Sequence, residues 1–184
     1  EIVRTGCTTG PSMRLAELAR ARPDAMIAAD TFVSSHMVYP YGVHIAAVCV
    51  DPDTGHVAVE RYAIAYDIGK AVNPKLVEAQ LAGGLAQGLG GALLEEFLYD
   101  ENGEPLSVTF ADYLMPTSRE MPRLSILVTE DAPSPLNPMG LKGAGEGGAN
   151  PVGAAIASAI DDALGWPGAV TQLPVTPARL RALI

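Results

Sequence analysis

A strand–turn–strand pattern is the feature that most limits how this chain folds. Residues 42–50 are β-branched and apolar, residues 51–55 read Asp-Pro-Asp-Thr-Gly, and residues 56–66 alternate. Turn residues between two such runs predict an antiparallel β-hairpin. Because successive strand residues face opposite sides, we expect one side to carry Val57, Val59, Arg61, Ala63 and Ala65, and the other to carry His56, Ala58, Glu60, Tyr62, Ile64 and Tyr66.

Two Asn-Pro pairs predict where the longer helices begin. Asn is a favoured N-cap, and proline at the first helical position loses no hydrogen bond. The pair at 73–74 opens a helix expected to reach about Phe97, and the pair at 150–151 opens a second helix that Gly165 stops. The second helix has a core stripe of Ile156, Ile160 and Leu164.

The first long helix has two different faces. One face carries Gln80, Gly84, Gln87 and Gly91, and the opposite face carries Ala82, Leu85, Ala86, Leu89 and Leu93. The apolar face is typical of a core. Glycines cost helix stability, but they let another group approach the backbone closely, so we predict that the amide and glycine face makes contacts.

The remaining elements complete an α+β prediction. We expect short helices at 14–22 and from Thr176-Pro177 to the end, a tight turn at 100–103, strands near 106–110 and 124–130, and an irregular segment at 132–140. Strands and helices in mixed order, with hairpins, favour mixed or antiparallel strands packed on two longer helices. We expect one domain over residues 1–184.

Composition excludes several classes of protein. The chain has 184 residues, a net charge of −9 and 48% hydrophobic residues. Such an acidic chain disfavours nucleic-acid binding, and the hydrophobic fraction disfavours disorder. No apolar run is long enough for a transmembrane helix, and the N-terminus lacks a signal-peptide pattern. We therefore predict no membrane partner, and the reduced state favoured for the two cysteines predicts a cytoplasmic location.

The cysteines and histidines form no metal-binding motif. Cys7 and Cys49 are too few to ligate an iron–sulfur cluster. Two reduced thiols are the favoured state, with a disulfide as the alternative. The histidines at 36, 44 and 56 are scattered, so each is interpreted as structural and no metal ligand is predicted.

The segment 142–148 carries the strongest functional signal. It contains four glycines and one carboxylate, Glu146, directly before a helix. Glycines allow close approach of a ligand, and a helix N-terminus favours an anion. Three interpretations remain open: a dinucleotide site through Gly143-x-Gly145-x-x-Gly148, a flexible connector with a solvated Glu146, and a cofactor loop whose Glu146 is a general base. A proline-rich stretch rather than a strand precedes the loop, which weakens the first.

Six stretches of the chain carry a resemblance to one protein family. They are YPYGVH (39–44), DIGKAVNP (67–74), EAQLAGGLAQG (78–88), ADYLMPT (111–117), KGAGE (142–146) and LPVTP (173–177). On these stretches, residues 38–164 resemble the C-terminal part of the molybdenum-binding large subunit of the xanthine dehydrogenase/aldehyde oxidase family, including its carbon monoxide dehydrogenase-like branch, and LPVTP extends the resemblance toward the end of the chain. The order and spacing of the stretches are also similar to those of the family.

The resemblance implies roles for particular residues. Glu146 matches the family's catalytic base beside the molybdenum, which fits the use of a carboxylate in proton transfer. Gln80 matches a glutamine that hydrogen-bonds the cofactor, and Gln87 is a second candidate. The resemblance places backbone N–H groups of Gly143, Ala144 and Gly145 on the pterin or its pyrophosphate, with Lys142 adding charge, although an exposed lysine is the ordinary alternative.

The resemblance also implies an activity, cofactors and partners. It implies a molybdenum hydroxylase that oxidises an aldehyde, an N-heterocycle or a similar small substrate with water as the oxygen source. The cofactor is molybdenum–molybdopterin, and bacterial members suggest its cytosine dinucleotide form. The 2Fe-2S cluster and FAD are expected on other domains or chains.

Family subunits are several-fold longer than this chain, so the resemblance predicts a C-terminal fragment or one part of a split subunit. Its partners would be the remainder of the large subunit and the iron–sulfur and flavin subunits, and the isolated chain would be inactive. Self-association through an exposed apolar seam is a further expectation. The alternative function is a non-catalytic assembly module that docks against a partner molybdenum subunit.

Overall fold

A computed structural model describes residues 13–27, 29–34 and 36–184. The chain divides into two compact units, residues 1–35 and residues 36–184. In the first unit, helix α1 (Leu15–Ala21) is followed by a 3₁₀ turn (Pro23–Met26), which confirms the helix predicted at 14–22. Cys7 lies outside the described residues, whereas Cys49 is an exposed free thiol. One domain over 1–184 stays a prediction.

The second unit contains a three-stranded mixed sheet. Strand β1 (Tyr41–Val50) pairs antiparallel with β2 (Val57–Asp67), which confirms the hairpin, and β3 (Arg123–Thr129) pairs parallel with β2. The turn forms because the Asp51 carboxylate accepts hydrogen bonds from the N–H of Asp53 and the hydroxyl of Thr54. Gly55 then closes it at a φ of 73°, a conformation that favours glycine.

A β-bulge makes the predicted alternation in β2 wrong. Ala47 pairs with Arg61 and Val48 pairs with Val59, so Glu60 is an extra residue in β2. An extra residue shifts the side chains that follow it to the other face. The buried apolar side chains of β2 therefore come from both predicted sets, and they are Val57, Tyr62, Ile64 and Tyr66.

Three helices complete this unit. They are α2 (Pro74–Leu93), α3 (Val152–Leu164) and α4 (Pro177–Leu183). The Asn73 side chain caps α2 by accepting a hydrogen bond from the Leu76 N–H at 3.3 Å, as predicted. Helix α3 has Pro151 rather than Asn150 at its N-cap, and Gly165 ends it in a left-handed conformation.

Helix α2 ends earlier than predicted, at Leu93 instead of about Phe97. The carbonyl of Ala92 accepts a hydrogen bond from the N–H of Val175 at 2.7 Å. If the helix continued, that oxygen would accept a hydrogen bond from the N–H of residue 96. Contact with the C-terminal segment therefore ends the helix, and this contact cannot be predicted from the local sequence.

Residues 106–110 do not form the predicted strand. The Ser107 hydroxyl accepts a hydrogen bond from the Leu98 N–H and donates one to the Glu96 carbonyl. The Thr109 carbonyl then accepts from the N–H of residue 113, which bends the chain. These local bonds replace strand pairing. The strand predicted at 124–130 and the irregular segment at 132–140 are confirmed.

The core lies between one face of the sheet and the helices. Leu81, Leu85 and Leu89 of α2 are at most 2% exposed, and each contributes roughly 1.5–3 kcal/mol by leaving water. The other face, here called the outer sheet face, carries large exposed apolar side chains. These are Tyr41, Val43, Ile45 and Leu127, which are 58–64% exposed. No helix of the described residues is long and apolar enough to span a membrane.

Candidate functional site

The glycine loop, residues 142–148, connects the irregular segment to the turn before α3. Its first residue, Lys142, donates its N–H to the Ile68 carbonyl at 2.9 Å, and its ammonium lies 2.9 Å from Asp67 Oδ1. The Lys142 side chain is only 8% exposed, and Nζ lies 4.7 Å from the centroid of the Tyr41 ring. The alternative of an ordinary exposed lysine is therefore wrong, because this ammonium is held by a buried carboxylate.

Burial and hydrogen bonding have opposite effects on the pKa of Asp67. Burial by itself raises the pKa of this carboxyl, but hydrogen bonds from Lys142, from the Gly69 and Ala132 N–H groups and from Thr129 outweigh it. The pKa of Asp67 consequently lies well below its ordinary value. The Asp67 carboxyl at the base of the loop is therefore ionised at neutral pH.

Helix α2 holds the middle of the loop through Gln80. Its Nε2 donates a hydrogen bond to the Gly145 carbonyl at 2.9 Å, across 65 residues of sequence. A carbonyl accepts only, so the amide nitrogen must face it. The amide oxygen of Gln80 has no partner among the described residues and remains available to a ligand. Gln87, on the same face of α2, has no hydrogen bond in the described chain, and both glutamines line a groove between α2 and the loop.

Strand β1 holds the end of the loop through His44. Its Nε2 lies 2.9 Å from the Gly147 carbonyl, and its Nδ1 lies 2.9 Å from the Tyr62 hydroxyl. Because the carbonyl can only accept, Nε2 carries the proton and Nδ1 accepts from Tyr62. Burial lowers the pKa of His44, while the bond to Gly147 opposes this shift. The histidine is structural, as interpreted from the sequence, and its structural role is to fix the loop.

Close packing between glycines brings α2 and the loop together. A Cβ at Gly148 would lie 2.2 Å from the Leu81 carbonyl oxygen, and a Cβ at Gly84 would lie 2.8 Å from the Gly148 Cα. A Cβ at Gly147 would lie 2.2 Å from the Tyr66 ring. The predicted contact face of α2 is confirmed at Gly84, and its partner there is the loop. Gly91 faces open space.

Glu146 extends into a polar groove between the loop and α2. The groove has a volume of about 250 Å³. The residue is exposed, and its carboxylate has no hydrogen-bond or ion-pair partner among the described residues. Burial, together with the nearby charge of Glu146, raises the pKa of Tyr66. The polar groove is lined by Ala79, Gln80, Gly83, Gly84, Gln87, Gly145, Glu146, Ala149 and Asn150.

The loop presents a row of unpaired backbone donors. Over the described residues, no protein oxygen accepts a hydrogen bond from the N–H groups of residues 143–148. The two that follow, at Ala149 and Asn150, bond to the Glu146 carbonyl and lead into α3. A Cβ at Gly143 or Gly145 would meet nothing within 4 Å, so the backbone there is open. Donors on an open backbone before a helix suit an oxygen-rich or anionic group.

Two other cavities differ from the polar groove in that neither contains Glu146. A cavity of about 410 Å³ lies elsewhere in the unit, between β2 and the end of α2, and its lining includes Val57, Leu89, Leu93 and Val175. A broader groove of about 520 Å³ borders the other side of the glycine loop and shares Gln80 and Gly145 with the polar groove. In the described part of the chain, no three His, Cys, Asp or Glu side chains cluster as metal ligands.

Comparison with known proteins decides the family. The model of the family described as "Molybdopterin cofactor-binding domain" matches residues 3–122. The chain belongs to this family. The resemblance to molybdenum-binding subunits of the xanthine dehydrogenase and carbon monoxide dehydrogenase type is therefore confirmed.

Relatives of this molybdopterin cofactor-binding domain are parts of larger enzymes. The gamma subunit of the 6-hydroxypseudooxynicotine dehydrogenase complex of Paenarthrobacter nicotinovorans is 43% identical over 182 residues, covering 94% of this chain and 23% of the relative. The carbon monoxide dehydrogenase large chain of Afipia carboxidovorans is 37% identical over 111 residues, covering 60% of this chain and 14% of the relative. The chain thus spans less than a quarter of the length of these relatives.

A solved structure confirms the α+β fold. The crystal structure of quinoline 2-oxidoreductase from Pseudomonas putida 86 has a TM-score of 0.83 and 35% identity to this molybdopterin cofactor-binding domain. The likeness covers 94% of this chain and 23% of that chain. It therefore reaches beyond the range matched by the family model, which ends before the glycine loop.

Sequence reasoning missed two residues that shape the site. Asp67 interacts with Lys142 across 75 residues, and His44 bonds Gly147 across 103 residues. Asp67 ends an alternating strand inside the DIGKAVNP stretch, so a carboxylate at a strand end was the available signal. His44 ends the YPYGVH stretch, but its role depends on which loop packs against β1, and the sequence alone does not give that loop.

Proposed function

We propose that this chain is the cofactor-binding segment of a molybdenum hydroxylase and that Glu146 is its catalytic base. One observation carries the proposal: an unpartnered carboxylate lies in a polar groove beside a row of free backbone donors. Membership of the molybdopterin cofactor-binding family supports the identity of the ligand.

The residues present fit such a cofactor. Molybdopterin is rich in oxygen and carries phosphate, and the N–H groups of Gly143, Ala144 and Gly145 are donors on an open backbone. Gln80 contributes its free amide oxygen, and Gln87 lines the same groove. Lys142 lies at the base of the loop, where its charge is balanced by Asp67. A direct contact of Lys142 with the cofactor stays a prediction.

Glu146 performs the proton transfer in this proposal. When bound, the cofactor supplies the two-electron acceptor for oxidation of the substrate. The carboxylate oxygens of Glu146 take the proton released by the water-derived nucleophile, because a free carboxylate accepts a proton without first breaking another bond. Its backbone is fixed by the turn before α3, since its carbonyl accepts from Ala149 and Asn150.

An N-heterocycle is the substrate class that we propose. The relatives include proteins named nicotine 6-hydroxylase large subunit and quinoline 2-oxidoreductase, and both names contain an N-heterocycle. The carbon monoxide dehydrogenase large chain matches 60% of this chain, whereas the nicotine 6-hydroxylase large subunit matches 80% and quinoline 2-oxidoreductase matches 94%. Iron–sulfur and flavin groups on other domains or chains, and the cytosine dinucleotide form of the cofactor, belong to the same proposal.

The test is Glu146→Gln in the complete enzyme that contains this segment. We expect molybdenum and pterin content close to that of the parent enzyme and a turnover number at least about 100-fold lower, since positioned acid–base catalysis contributes about 10²–10⁴-fold. Glu101→Gln is the matched control, because it makes the same chemical change at an exposed turn. Turnover of Glu146→Gln near that of Glu101→Gln would refute the assignment.

The second candidate function is an assembly module, which the outer sheet face favours. Val43, Ile45 and Leu127 expose about 60% or more of their surface there, as expected of a contact with another domain or chain. Thermal unfolding with and without added molybdopterin separates the candidates. Stabilisation by the cofactor supports the first, and partner binding that is indifferent to the cofactor supports the second.

A further inference from the structure

A buried ion pair lies beneath the glycine loop, and the proposed chemistry makes no direct use of it. Asp67 is 2% exposed, the Lys142 side chain is 8% exposed, and Nζ lies 2.9 Å from Oδ1. Neither residue lines the polar groove that contains Glu146. The pair therefore needs an explanation other than ligand contact in that groove.

Asp67 joins three segments of the chain at one point. Its Oδ1 accepts from Lys142 Nζ and from the Gly69 N–H, at 2.9 and 3.0 Å. Its Oδ2 accepts from the Thr129 hydroxyl and from the N–H groups of Asp131 and Ala132, at 3.1, 2.8 and 3.2 Å. The end of β2, the end of β3 and the start of the glycine loop are thereby tied together.

Stability alone does not account for such a pair. Moving each ion out of water costs several kcal/mol, and well-packed apolar residues of similar volume are often equally stable or more stable. The five hydrogen bonds on Asp67 offset this cost. Two apolar side chains would also fill the space. They would not bond residue 142 to residue 67, whereas the charge-assisted hydrogen bond holds the end of the Lys142 side chain at Asp67.

Lys142 begins the stretch of loop that leads to Glu146. The far end of this stretch is held by the bond from Gln80 to the Gly145 carbonyl and by the bonds from the Ala149 and Asn150 N–H groups to the Glu146 carbonyl. Residues 143 and 144 make no hydrogen bond to the described chain, so a displacement of Lys142 reaches this far end along the backbone.

Close packing marks the same point as the anchor. A Cβ at Gly69 would lie 2.2 Å from the Gly140 carbonyl oxygen and 3.2 Å from Lys142 Cγ. The φ of Gly69 is 72°, which favours glycine. The backbone after β2 and the start of the loop therefore meet at van der Waals distance, directly beside the ion pair.

We propose that Asp67 and Lys142 are positioning residues, and that their ion pair sets the place of the Glu146 carboxylate through the backbone of the glycine loop. The proposal rests on the proposed function of Glu146. It assigns Lys142 an internal partner rather than a direct role in the chemistry.

The test variant is Lys142→Met. It removes the charge but keeps a long side chain, and it leaves the other four hydrogen bonds of Asp67 intact. Lys142→Arg restores a cation that can reach Asp67. The control is Lys75→Met, which removes an ammonium from the exposed Lys75–Glu78 pair of α2, where the Nζ–Oε2 distance is 2.8 Å.

The first readout is the amide spectrum of the chain by two-dimensional NMR. We expect the resonances of residues 143–148 to shift or broaden in Lys142→Met and to stay unchanged in Lys75→Met. In Lys142→Arg, they should return toward those of the parent chain. Loop resonances of Lys142→Met that match the parent chain would overturn the proposal.

The second readout is steady-state kinetics of the complete enzyme, normalised to bound molybdenum, with quinoline as the substrate probed first. A misplacement of about 1 Å can cost about 10²-fold in rate, so we expect kcat of Lys142→Met to fall about 10- to 100-fold while KM changes less than about two-fold. Lys142→Arg should recover most of the loss. A lower unfolding temperature with unchanged kcat would show a purely structural pair and overturn the proposal.

The two proposals fail in different ways. Retained turnover in Glu146→Gln refutes the proposed function, and with it the positioning of that residue for catalysis. Loss of turnover in Glu146→Gln together with full kcat in Lys142→Met refutes only the positioning role. Asp67→Asn should repeat the loss seen for Lys142→Met, and its NMR spectrum shows whether the variant is folded.

Discussion

Replacing a glycine of α2 by alanine should have opposite effects at two positions on the same helix. At Gly91, an added Cβ meets nothing within 4 Å. Alanine is about 1 kcal/mol more favourable than glycine inside a helix. Gly91→Ala should therefore raise the free energy of unfolding by about 1 kcal/mol.

At Gly84, the same change meets the backbone of the glycine loop. The Cβ would lie 2.8 Å from Gly148 Cα, 2.9 Å from its carbonyl carbon and 3.0 Å from the Ala149 nitrogen. Ordinary carbon–carbon contacts are about 3.5–4.0 Å, so helix and loop must separate by roughly 0.7 Å or more. Overpacking costs about 1–3 kcal/mol, which equals or exceeds the gain of about 1 kcal/mol from helix propensity.

The net expectation for Gly84→Ala is a loss of about 0–2 kcal/mol, so the two variants should differ by about 1–3 kcal/mol. Urea unfolding followed by circular dichroism measures both on the same chain. Because the displaced loop carries Glu146, Gly84→Ala should also lower kcat of the complete enzyme, whereas Gly91→Ala should not. A Gly84→Ala chain as stable as Gly91→Ala would refute the close approach of α2 and the loop.

Two further predictions concern β1. Burial lowers the pKa of His44 below its ordinary value of 6.5, so as the pH falls below 6.5 the unfolded chain takes up a proton that the folded chain does not. The free energy of unfolding therefore falls with decreasing pH. This part of the pH dependence should be missing in His44→Gln when urea unfolding is measured between pH 5 and 8. Ile45→Lys places a charge on the outer sheet face and should reduce self-association of the chain in sedimentation velocity; an unchanged distribution would remove this face as the contact.

Elements set by neighbouring residues were predictable from the sequence. The hairpin follows from Asp51 and Gly55 at its turn, and the start of α2 follows from Asn73, since each of these residues acts on backbone groups within a few positions. The resemblance gave Glu146 and Gln80, and the structure brings these two residues to the same polar groove. Their roles in catalysis and cofactor binding stay predictions.

Features set by distant contacts were not predictable. The end of α2 depends on Val175. The strand predicted at 106–110 does not form because Ser107 bonds to residues 96 and 98 instead. The bulge at Glu60 shifts the faces of β2 without a local signal such as glycine. The anchors of the glycine loop, Asp67 and His44, act across 75 and 103 residues.

The parallel pairing of β2 and β3 separates the residue that holds the start of the glycine loop from the place where the chain enters β3. Asp67 and Thr129 are register partners at one end of the two strands, and Arg61 and Arg123 are partners at the other. At about 3.3 Å per residue, these ends are roughly 20 Å apart. The connection formed by residues 94–122 enters β3 at the end far from Asp67. A change in the length of that connection should therefore act first at the end of the sheet that is remote from Asp67 and from the start of the glycine loop.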